Sequence, residues 1–174
     1  MATLTTPRLC LLPLTGQMMT TRLETDDFTL LLDTLDGQRR DARFGPQWPG
    51  DALAMFPVLL SMLGDDPQVE GSYVVVDAES GEAVGMVGTK GGVDEDGALE
   101  IGYGINESVW GRGVATEAVG ALVEELSRWP IVKTVTAQTA VGNIASQRVL
   151  AKNGFTCTGT GWNEDDGDLI LWSR

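Results

Sequence analysis

The sequence predicts one α/β domain over residues 1–174, in which helices flank a mixed sheet. A chain of 174 residues is long enough for a sizeable core, and its hydrophobic fraction of 43% argues against disorder. Two apolar runs, at 72–77 and 82–89, flank a turn at 79–81, which is typical of a hairpin. The later part alternates strand, helix and strand, which implies a parallel pair joined by a crossover.

The first third is predicted to contain a strand and two helices. Residues 8–14 read as a strand. Asp26 or Asp27 can cap a leucine-rich helix that ends at Asp36, with Gly37 as its stop.

A turn-rich connection is predicted at 41–50, because aromatic residues and prolines alternate there. A second helical segment follows at 51–63 and ends at Gly64. The connection is a candidate lining for an acceptor pocket.

The remaining predicted elements are strand 99–105, helix 115–127, strand 132–139, helix 143–153, strand 155–160 and strand 168–173. Apolar residues with helical spacing support the first of these helices: Ala115, Ala118, Val119, Leu122 and Leu126. Gly154 is the expected stop of the second helix, and the last two strands would close the sheet as a hairpin.

The segment 110–116 is the most informative part of the chain. Gly111 and Gly113 stand one residue apart between a strand and a helix, so the backbone can turn tightly. The helix that follows directs unpaired N–H groups and its positive dipole end toward the turn. Such a turn binds phosphate without a lysine.

Two common phosphate motifs do not fit this turn. A dinucleotide fingerprint needs a third glycine, where Thr116 stands, and an acid about 20 residues on, where Lys133 lies nearby. A Walker loop needs glycine followed by lysine and then serine or threonine, and the chain has no such triplet.

The turn is instead similar to the acetyl-CoA turn of the Gcn5-related N-acetyltransferases, the GNAT family, which reads [RQ]-x-x-G-x-[GA]. Here Trp110 stands at the first position, Gly113 at the glycine and Ala115 at the last. Tryptophan there resembles the branch related to ribosomal-protein N-terminal acetyltransferases. Further marks of that branch follow in the expected order, at 100–105, 115–118, 143–146 and 153–155.

This resemblance implies a GNAT-like fold, with a mostly antiparallel sheet and a central parallel crossover. It implies acetyl transfer from the cosubstrate acetyl-CoA to a primary amine, either a protein N-terminus or a small molecule. Transfer by direct attack is expected because neither cysteine lies near the turn. The residues expected to bind the cosubstrate are Ile105, Trp110, Gly111, Arg112, Gly113, Val114, Ala115, Thr116, Asn143 and Ser146.

Glu100 is the candidate general base, acting through water. It shares one strand face with Gly102 and Gly104, whose missing side chains leave room for a substrate. An ammonium must lose a proton before its nitrogen can attack, and a carboxylate can accept that proton. The alternative is a solvated or structurally paired carboxylate.

Ser146 is the second candidate catalytic residue. The family's usual acid, a tyrosine seven residues after Asn143, is replaced by Leu150. Ser146 lies one helical turn after Asn143 and would offer a hydrogen bond near the sulfur. Alternatively, Asn143 only caps its helix and Ser146 faces solvent. Without catalysis the domain would be an acyl-CoA sensor or an interaction domain.

Charge and composition exclude other classes. Twelve basic and 25 acidic residues give a net charge of −13, which makes nucleic acid an improbable partner. Residues 101–153 carry five basic and four acidic residues, so the negative charge lies in the rest of the chain. This asymmetry would steer a cationic amine, or would only aid solubility. With no histidine, a histidine zinc site or a Ser-His-Asp triad is excluded, and no metal is expected.

We expect neither a signal peptide nor a membrane span, because the apolar runs are short and interrupted. Cys10 and Cys157 are expected as buried thiols in a reducing cytoplasm. The strand at 168–173 is expected at a sheet edge, where it would favour a homodimer.

Overall fold

The computed structural model describes residues 1–33, 39–63 and 68–174. Within these residues the strands are Leu4–Thr5 (β1), Leu9–Thr15 (β2), Phe28–Asp33 (β3), Arg39–Phe44 (β4), Gln68–Asp77 (β5), Ala83–Lys90 (β6), Ala98–Ile105 (β7), Thr134–Ala140 (β8), Thr156–Asn163 (β9) and Gly167–Ser173 (β10). The α-helices are Gly16–Glu24 (α1), Phe56–Met62 (α2), Val114–Leu126 (α3) and Ile144–Lys152 (α4). Two short 3-10 helices span Gly50–Met55 and Glu107–Val109.

One sheet of eight strands has the order β1-β2-β5-β6-β7-β8-β10-β9, and β3 pairs with β4 apart from it. Neighbours in the large sheet are antiparallel except β7 and β8, which are parallel. The chain crosses between these two strands through α3. The predicted mixed, mostly antiparallel sheet with a central parallel crossover is therefore confirmed.

Two cores cover the two faces of the sheet, because successive strand residues point to opposite sides. Tyr73 and Val75 of β5 face the core formed with α3, which we call the α3 core. Val74 and Val76 face the other core, which we call the aromatic core. The aromatic side chains fully buried there are Phe44, Trp48 and Phe56. The two cores fix the sheet between α3 on one side and α1 and α2 on the other.

The helix predicted at 26–36 is wrong over its described part, where the chain forms β3. Phe28 and Leu30 pack on the aromatic core while Leu31 is 51% exposed, which is the alternation of a strand. The rings of Phe28 and Phe44 stack across the hairpin with centroids 4.7 Å apart. These cross-strand contacts override the helix propensity of leucine.

Asp27 does not cap a helix either. Its carboxylate accepts from the Arg43 guanidinium of β4 at 2.8 Å. The proposed stop at Gly37 lies outside the described residues, and so does Gly64. α1 was not predicted, although Thr15 caps it by accepting from the Met18 N–H at 3.2 Å.

The connection predicted at 41–50 begins within β4, so it is a turn only after Phe44. The helix predicted at 51–63 corresponds to the first 3-10 helix followed by α2. The later strands and helices agree with the prediction to within two residues at most ends, and β5 and β9 are longer than predicted.

Two further expectations are corrected. β10 lies between β8 and β9, so it is not an edge strand and gives no support to a dimer. Cys157 is exposed and Cys10 is only partly buried, so neither is the buried thiol that was expected. None of the helices in the described ranges has the length and apolar character needed to cross a membrane.

Candidate active site

A tight turn leads from the end of β7 into α3. Gly111 and Gly113 have φ angles of 74° and 79°, in the left-handed region that only glycine adopts at little cost. Gly113 is also the N-cap of α3 and provides no side-chain cap. We call residues 110–116 the phosphate loop.

The amide N–H groups of the phosphate loop from 111 to 116 are open. None of them donates to a group in the part of the chain that the structure describes. The guanidinium of Arg112, beside them, likewise makes no hydrogen bond or ion pair within those residues. Clustered free amides at the positive end of a helix, next to an arginine, fit a bound phosphate or pyrophosphate.

Arg8, just before β2, braces this loop. Its Nη1 donates to the Arg112 carbonyl at 2.9 Å, while Nε and Nη2 donate to Glu117 Oε2 at 2.8 and 2.6 Å. The second Glu117 oxygen accepts from the Thr6 hydroxyl at 2.6 Å and from the Arg8 N–H at 3.0 Å. We call this set the Arg8 brace. It fixes the loop carbonyl and the first turn of α3 against the start of the sheet.

The ionisation of Glu117 reflects these contacts. Burial on its own raises the pKa of the carboxyl, but hydrogen bonds from Thr6 and Arg8, with the Arg8 charge, outweigh it and lower the pKa. Glu117 also lies in the first turn of α3, where a negative charge is favourable. The brace is therefore intact when Glu117 is ionised.

β7 and β8 diverge beside the loop. Their parallel pairing covers Ala98, Leu99 and Glu100 and then stops, although both strands continue. The Asn106 N–H donates to the Val84 carbonyl at 2.8 Å. Because the backbone N–H and C=O groups of successive strand residues point to alternate sides, those of Tyr103 and Ile105 point away from β6. We call the space between residues 101–105 and 137–140 the β7–β8 gap. Along the gap, the edge of β7 at 101–105 pairs with no strand among the described residues.

Two side chains border this gap. The Trp110 indole N–H donates to the Ile105 carbonyl at 2.6 Å, although Trp110 is 63% exposed. The Tyr103 hydroxyl donates to the Ser146 carbonyl at 3.1 Å and so links β7 to α4. Burial raises the pKa of Tyr103, which keeps this donor protonated at neutral pH.

Glu100 lies where the two strands separate. Lys90 stands directly opposite it on β6, with Nζ 3.4 Å from Oε1, and the Gln138 amide donates to Oε2 at 3.1 Å. The side chain is 27% exposed. Each carboxylate oxygen thus has one protein partner and retains a further lone pair.

Asn143 and Ser146 lie at the start of α4, which the Tyr103 hydroxyl of β7 reaches at the Ser146 carbonyl. Asn143 Oδ1 accepts from the Ser146 N–H at 3.0 Å, so the asparagine does cap its helix. Its Nδ2 and the Ser146 hydroxyl make no hydrogen bond within the described residues. Leu150 is fully buried in the α3 core.

A cavity of about 540 Å³ opens on the aromatic-core side of β5, β6 and β7. Gly88, Gly102 and Gly104 form much of its floor, and Met55 and Leu59 form part of its opposite wall. Trp110 and Ile105 line its end near the phosphate loop. Residues 47, 49 and 50 of the predicted connection also line it.

The structure thus brings the sequence-predicted residues to one region around the end of β7. Sequence reasoning missed Arg8, Ser72, Lys90, Tyr103 and Gln138, which brace the loop, line the cavity or contact the predicted residues. Within the described residues, no group of three or more histidine, cysteine, aspartate or glutamate side chains could hold a metal ion.

The fold, with its open loop before α3, agrees with the GNAT-type acyltransferase that the sequence predicts. The family model described as "Acetyltransferase (GNAT) domain" matches residues 19–156. The uncharacterised N-acetyltransferase YjdG of Bacillus subtilis (strain 168) is 31% identical over 143 residues, which cover 77% of this chain and 84% of that protein. The chain therefore belongs to the GNAT family and is an acetyl-CoA-dependent N-acetyltransferase.

Solved structures share the fold. The ribosomal-protein-S5-alanine acetyltransferase of Vibrio fischeri has a TM-score of 0.66 and 16% identity, with 100% of this chain and 96% of that chain covered. The aminoglycoside acetyltransferase AAC(6')-Ib, in complex with coenzyme A, has a TM-score of 0.61 and 22% identity, with 95% and 94% covered.

Proposed function

We propose that the chain transfers the acetyl group of acetyl-CoA to a primary amine by direct attack, at the end of β7. One observation carries the proposal: the open phosphate loop and the cavity meet at Ile105 and Trp110. Two substrates that enter from these two sides would reach the same strand. The reacting groups would then lie beside Glu100 and the β7–β8 gap.

The phosphate loop would hold the pyrophosphate of coenzyme A. The free amides of 111–116 would donate to its oxygens, and Arg112 would add a charge-assisted contact. Asn143 Nδ2, which has no hydrogen-bond acceptor in the described chain, would contact the arm that follows. This assignment is supported by the absence of internal partners for these donors.

The free edge of β7 would hold the amide-containing arm of the cosubstrate. The peptide group of Ile105 faces the β7–β8 gap, and its carbonyl has one partner in Trp110. An extended chain with its own amides can pair with such an edge as an added strand does. The thioester would thereby lie between β7 and α4.

Glu100 would accept the proton that the amine must lose, through a bridging water. The amine nitrogen then attacks the acetyl carbonyl and forms a C–N bond, and the C–S bond breaks with its electrons on sulfur. The second proton that the nitrogen loses passes through water to this thiolate, which leaves as the coenzyme A thiol. Lys90 and Gln138 would hold the carboxylate in position for this step. The Ser146 hydroxyl would donate a hydrogen bond to the departing thiolate, since Leu150 offers no donor.

The cavity would hold the acceptor. Its position on the glycine face of β7 supports this role, since substrate there would lie next to Glu100. The structural relatives include a ribosomal-protein acetyltransferase and an aminoglycoside acetyltransferase. The acceptor is accordingly a protein N-terminus or a small-molecule amine.

Replacement of Glu100 by glutamine tests the base. We expect the rate of thiol release at neutral pH to fall by at least about a hundredfold, the usual scale of general base catalysis. The affinity for coenzyme A, measured by calorimetry, should remain close to that of the wild type. Glu79→Gln, in the exposed β5–β6 turn, is the matched control. Unchanged turnover of Glu100→Gln would remove Glu100 from the mechanism, and coenzyme A binding without thiol release across a broad amine panel would contradict the proposal as a whole.

A further inference from the structure

Lys90 of β6 carries a primary amine inside the proposed acceptor cavity. Its side chain lines this cavity together with Gly102 and Gly104. Lys90 stands directly opposite Glu100 in the pairing of β6 with β7, and its Nζ lies 3.4 Å from Glu100 Oε1. An amine of the protein itself therefore lies beside the carboxylate that is proposed to take a proton from the acceptor.

The Lys90 side chain lies over the glycine face of β7. A Cβ at Gly102 would come within 2.7 Å of Lys90 Cε, so the lysine stem fills the space that a side chain at 102 would need. A Cβ at Gly104 would meet no atom of the described chain within 4 Å, so the floor is open from this stem toward the phosphate-loop end of the cavity. The flexible four-carbon stem of a lysine lets its amine move along such a floor.

The other lysines of the chain have different surroundings. The chain has three lysines, and Lys133 and Lys152 are exposed and make no side-chain hydrogen bond or ion pair within the described residues. The Lys90 side chain is 56% exposed and is paired with Glu100. Uncatalysed acetylation by acetyl-CoA would therefore give Lys90 no advantage over the other two. Preferential acetylation of Lys90 would report catalysis by the site.

We infer that Lys90 is a self-acetylation site, whose Nζ takes the acetyl group of acetyl-CoA bound to the same molecule when no other acceptor occupies the cavity. The inference rests on the proposed function. The Lys90 ammonium gives one proton to Glu100, its nitrogen attacks the thioester carbonyl, and a C–N bond forms while the C–S bond breaks with its electrons on sulfur. The second proton passes through water to the sulfur, so the products are Nε-acetyl-Lys90 and the coenzyme A thiol.

This modification would change the site that performs it. Acetylation of a lysine removes its charge and its role as a salt-bridge donor. The ion pair between Lys90 and Glu100 would be lost, and the acetyl group would add bulk over Gly102, where an acceptor must lie. Self-acetylation would therefore restrict the acceptor side of the site.

Deuterium-labelled acetyl-CoA and the purified wild type, without any added amine, test the inference by peptide mass spectrometry. We expect label at Lys90 to appear at least about a hundredfold faster than at Lys133 or Lys152, the scale that positioning and general base catalysis supply. The first-order rate should be independent of protein concentration, because donor and acceptor lie in one complex. Excess coenzyme A should suppress the labelling of Lys90 by occupying the cosubstrate site.

Variants assign the label to the site. Lys90→Arg keeps a cation opposite Glu100 and should lose the fast phase of labelling of the intact protein, whereas the matched controls Lys133→Arg and Lys152→Arg should keep it. Glu100→Gln should slow the labelling of Lys90 by at least about a hundredfold. If Lys90 of the purified wild type already carries an unlabelled acetyl group, its absence from Glu100→Gln expressed in the same way is the equivalent result, and its presence in both would overturn the inference.

Three further outcomes overturn the inference: equal labelling rates at the three lysines, a Lys90 rate that rises with protein concentration, or undiminished labelling of Lys90 in Glu100→Gln. A parallel assay of thiol release across an amine panel separates this failure from failure of the proposed function. If added amines are acetylated while Lys90 is not, the inference falls and the proposed function stands. If no thiol is released with any amine and Lys90 takes no label, both fall together.

Discussion

Replacement of Arg8 by methionine tests how the phosphate loop is held. The change keeps most of the aliphatic stem and removes three side-chain hydrogen bonds, one to the Arg112 carbonyl and two to Glu117. Within the described residues, the Arg112 carbonyl then loses the hydrogen bond that ties the loop to the start of the sheet. We expect weaker binding of coenzyme A, because the free amides of the loop would no longer be fixed in one arrangement.

The magnitude follows from the exposure of the two partners. The side chains of Arg8 and Glu117 are 51% and 18% exposed, so solvent screens much of the ion pair. Half-exposed pairs contribute up to about 1 kcal/mol, and the bond to the carbonyl adds about 1 kcal/mol. We therefore expect a loss of about 1–2 kcal/mol in the free energy of unfolding and about a tenfold loss of coenzyme A affinity.

Urea unfolding and calorimetric titration with coenzyme A measure the two effects separately. Arg43→Met is the matched control, because Arg43 is 55% exposed and pairs with two carboxylates, Asp27 and Glu82, neither of which is bonded to residues 110–116. The control should lose stability and keep its affinity. If Arg8→Met also keeps the wild-type affinity, the brace has only a structural role and the reasoning is refuted.

Two other changes test separate parts of the site. A Cβ at Gly104 would meet nothing within 4 Å, so Gly104→Val should fold normally, fill part of the cavity and raise the KM for the amine by about tenfold. Gly92→Val is the control, because a Cβ at this loop position is equally unobstructed, and it should leave the KM unchanged. Equal KM values for the two variants would contradict the acceptor site. Because the pKa of Glu117 is lowered from its ordinary 4.5 on folding, its stabilisation is complete above about pH 4.5 and is lost as the pH falls through the folded-state pKa. The difference in unfolding free energy between wild type and Glu117→Gln should therefore shrink below pH 4.5 in acid titrations, and a difference independent of pH would be inconsistent with the brace.

The phosphate loop could be predicted from the sequence because its requirement is local. Two glycines one residue apart permit left-handed φ angles at both positions, and the following apolar spacing predicts the helix that supplies the dipole. The later strands were predictable for the same reason, since each has its own turn signal and apolar pattern.

The N-terminal region was not predictable in this way. Three consecutive leucines after Asp27 favour a helix locally, but the chain there forms β3. The cause is the pairing of Phe28 with Phe44 and of Asp27 with Arg43, contacts between segments that are 16 residues apart. Nothing in the local pattern indicates which of these partners is available.

Residues that support the site escaped prediction because they are distant in sequence. Arg8 and Glu117 are 109 residues apart, and Gln138 reaches Glu100 across 38 residues. The cavity likewise exists only after the 3-10 helix Gly50–Met55 packs against β7.

The most direct test of the account is a titration of ¹⁵N-labelled protein with coenzyme A, followed by amide NMR spectra. We predict saturable shifts that are largest for the amides of 111–116, which donate to no described group in the free chain. Shifts of the exposed strand β9 should be small. Binding of coenzyme A that leaves the amides of Gly111 and Gly113 unmoved, or no binding at all, would contradict the assignment of the phosphate loop.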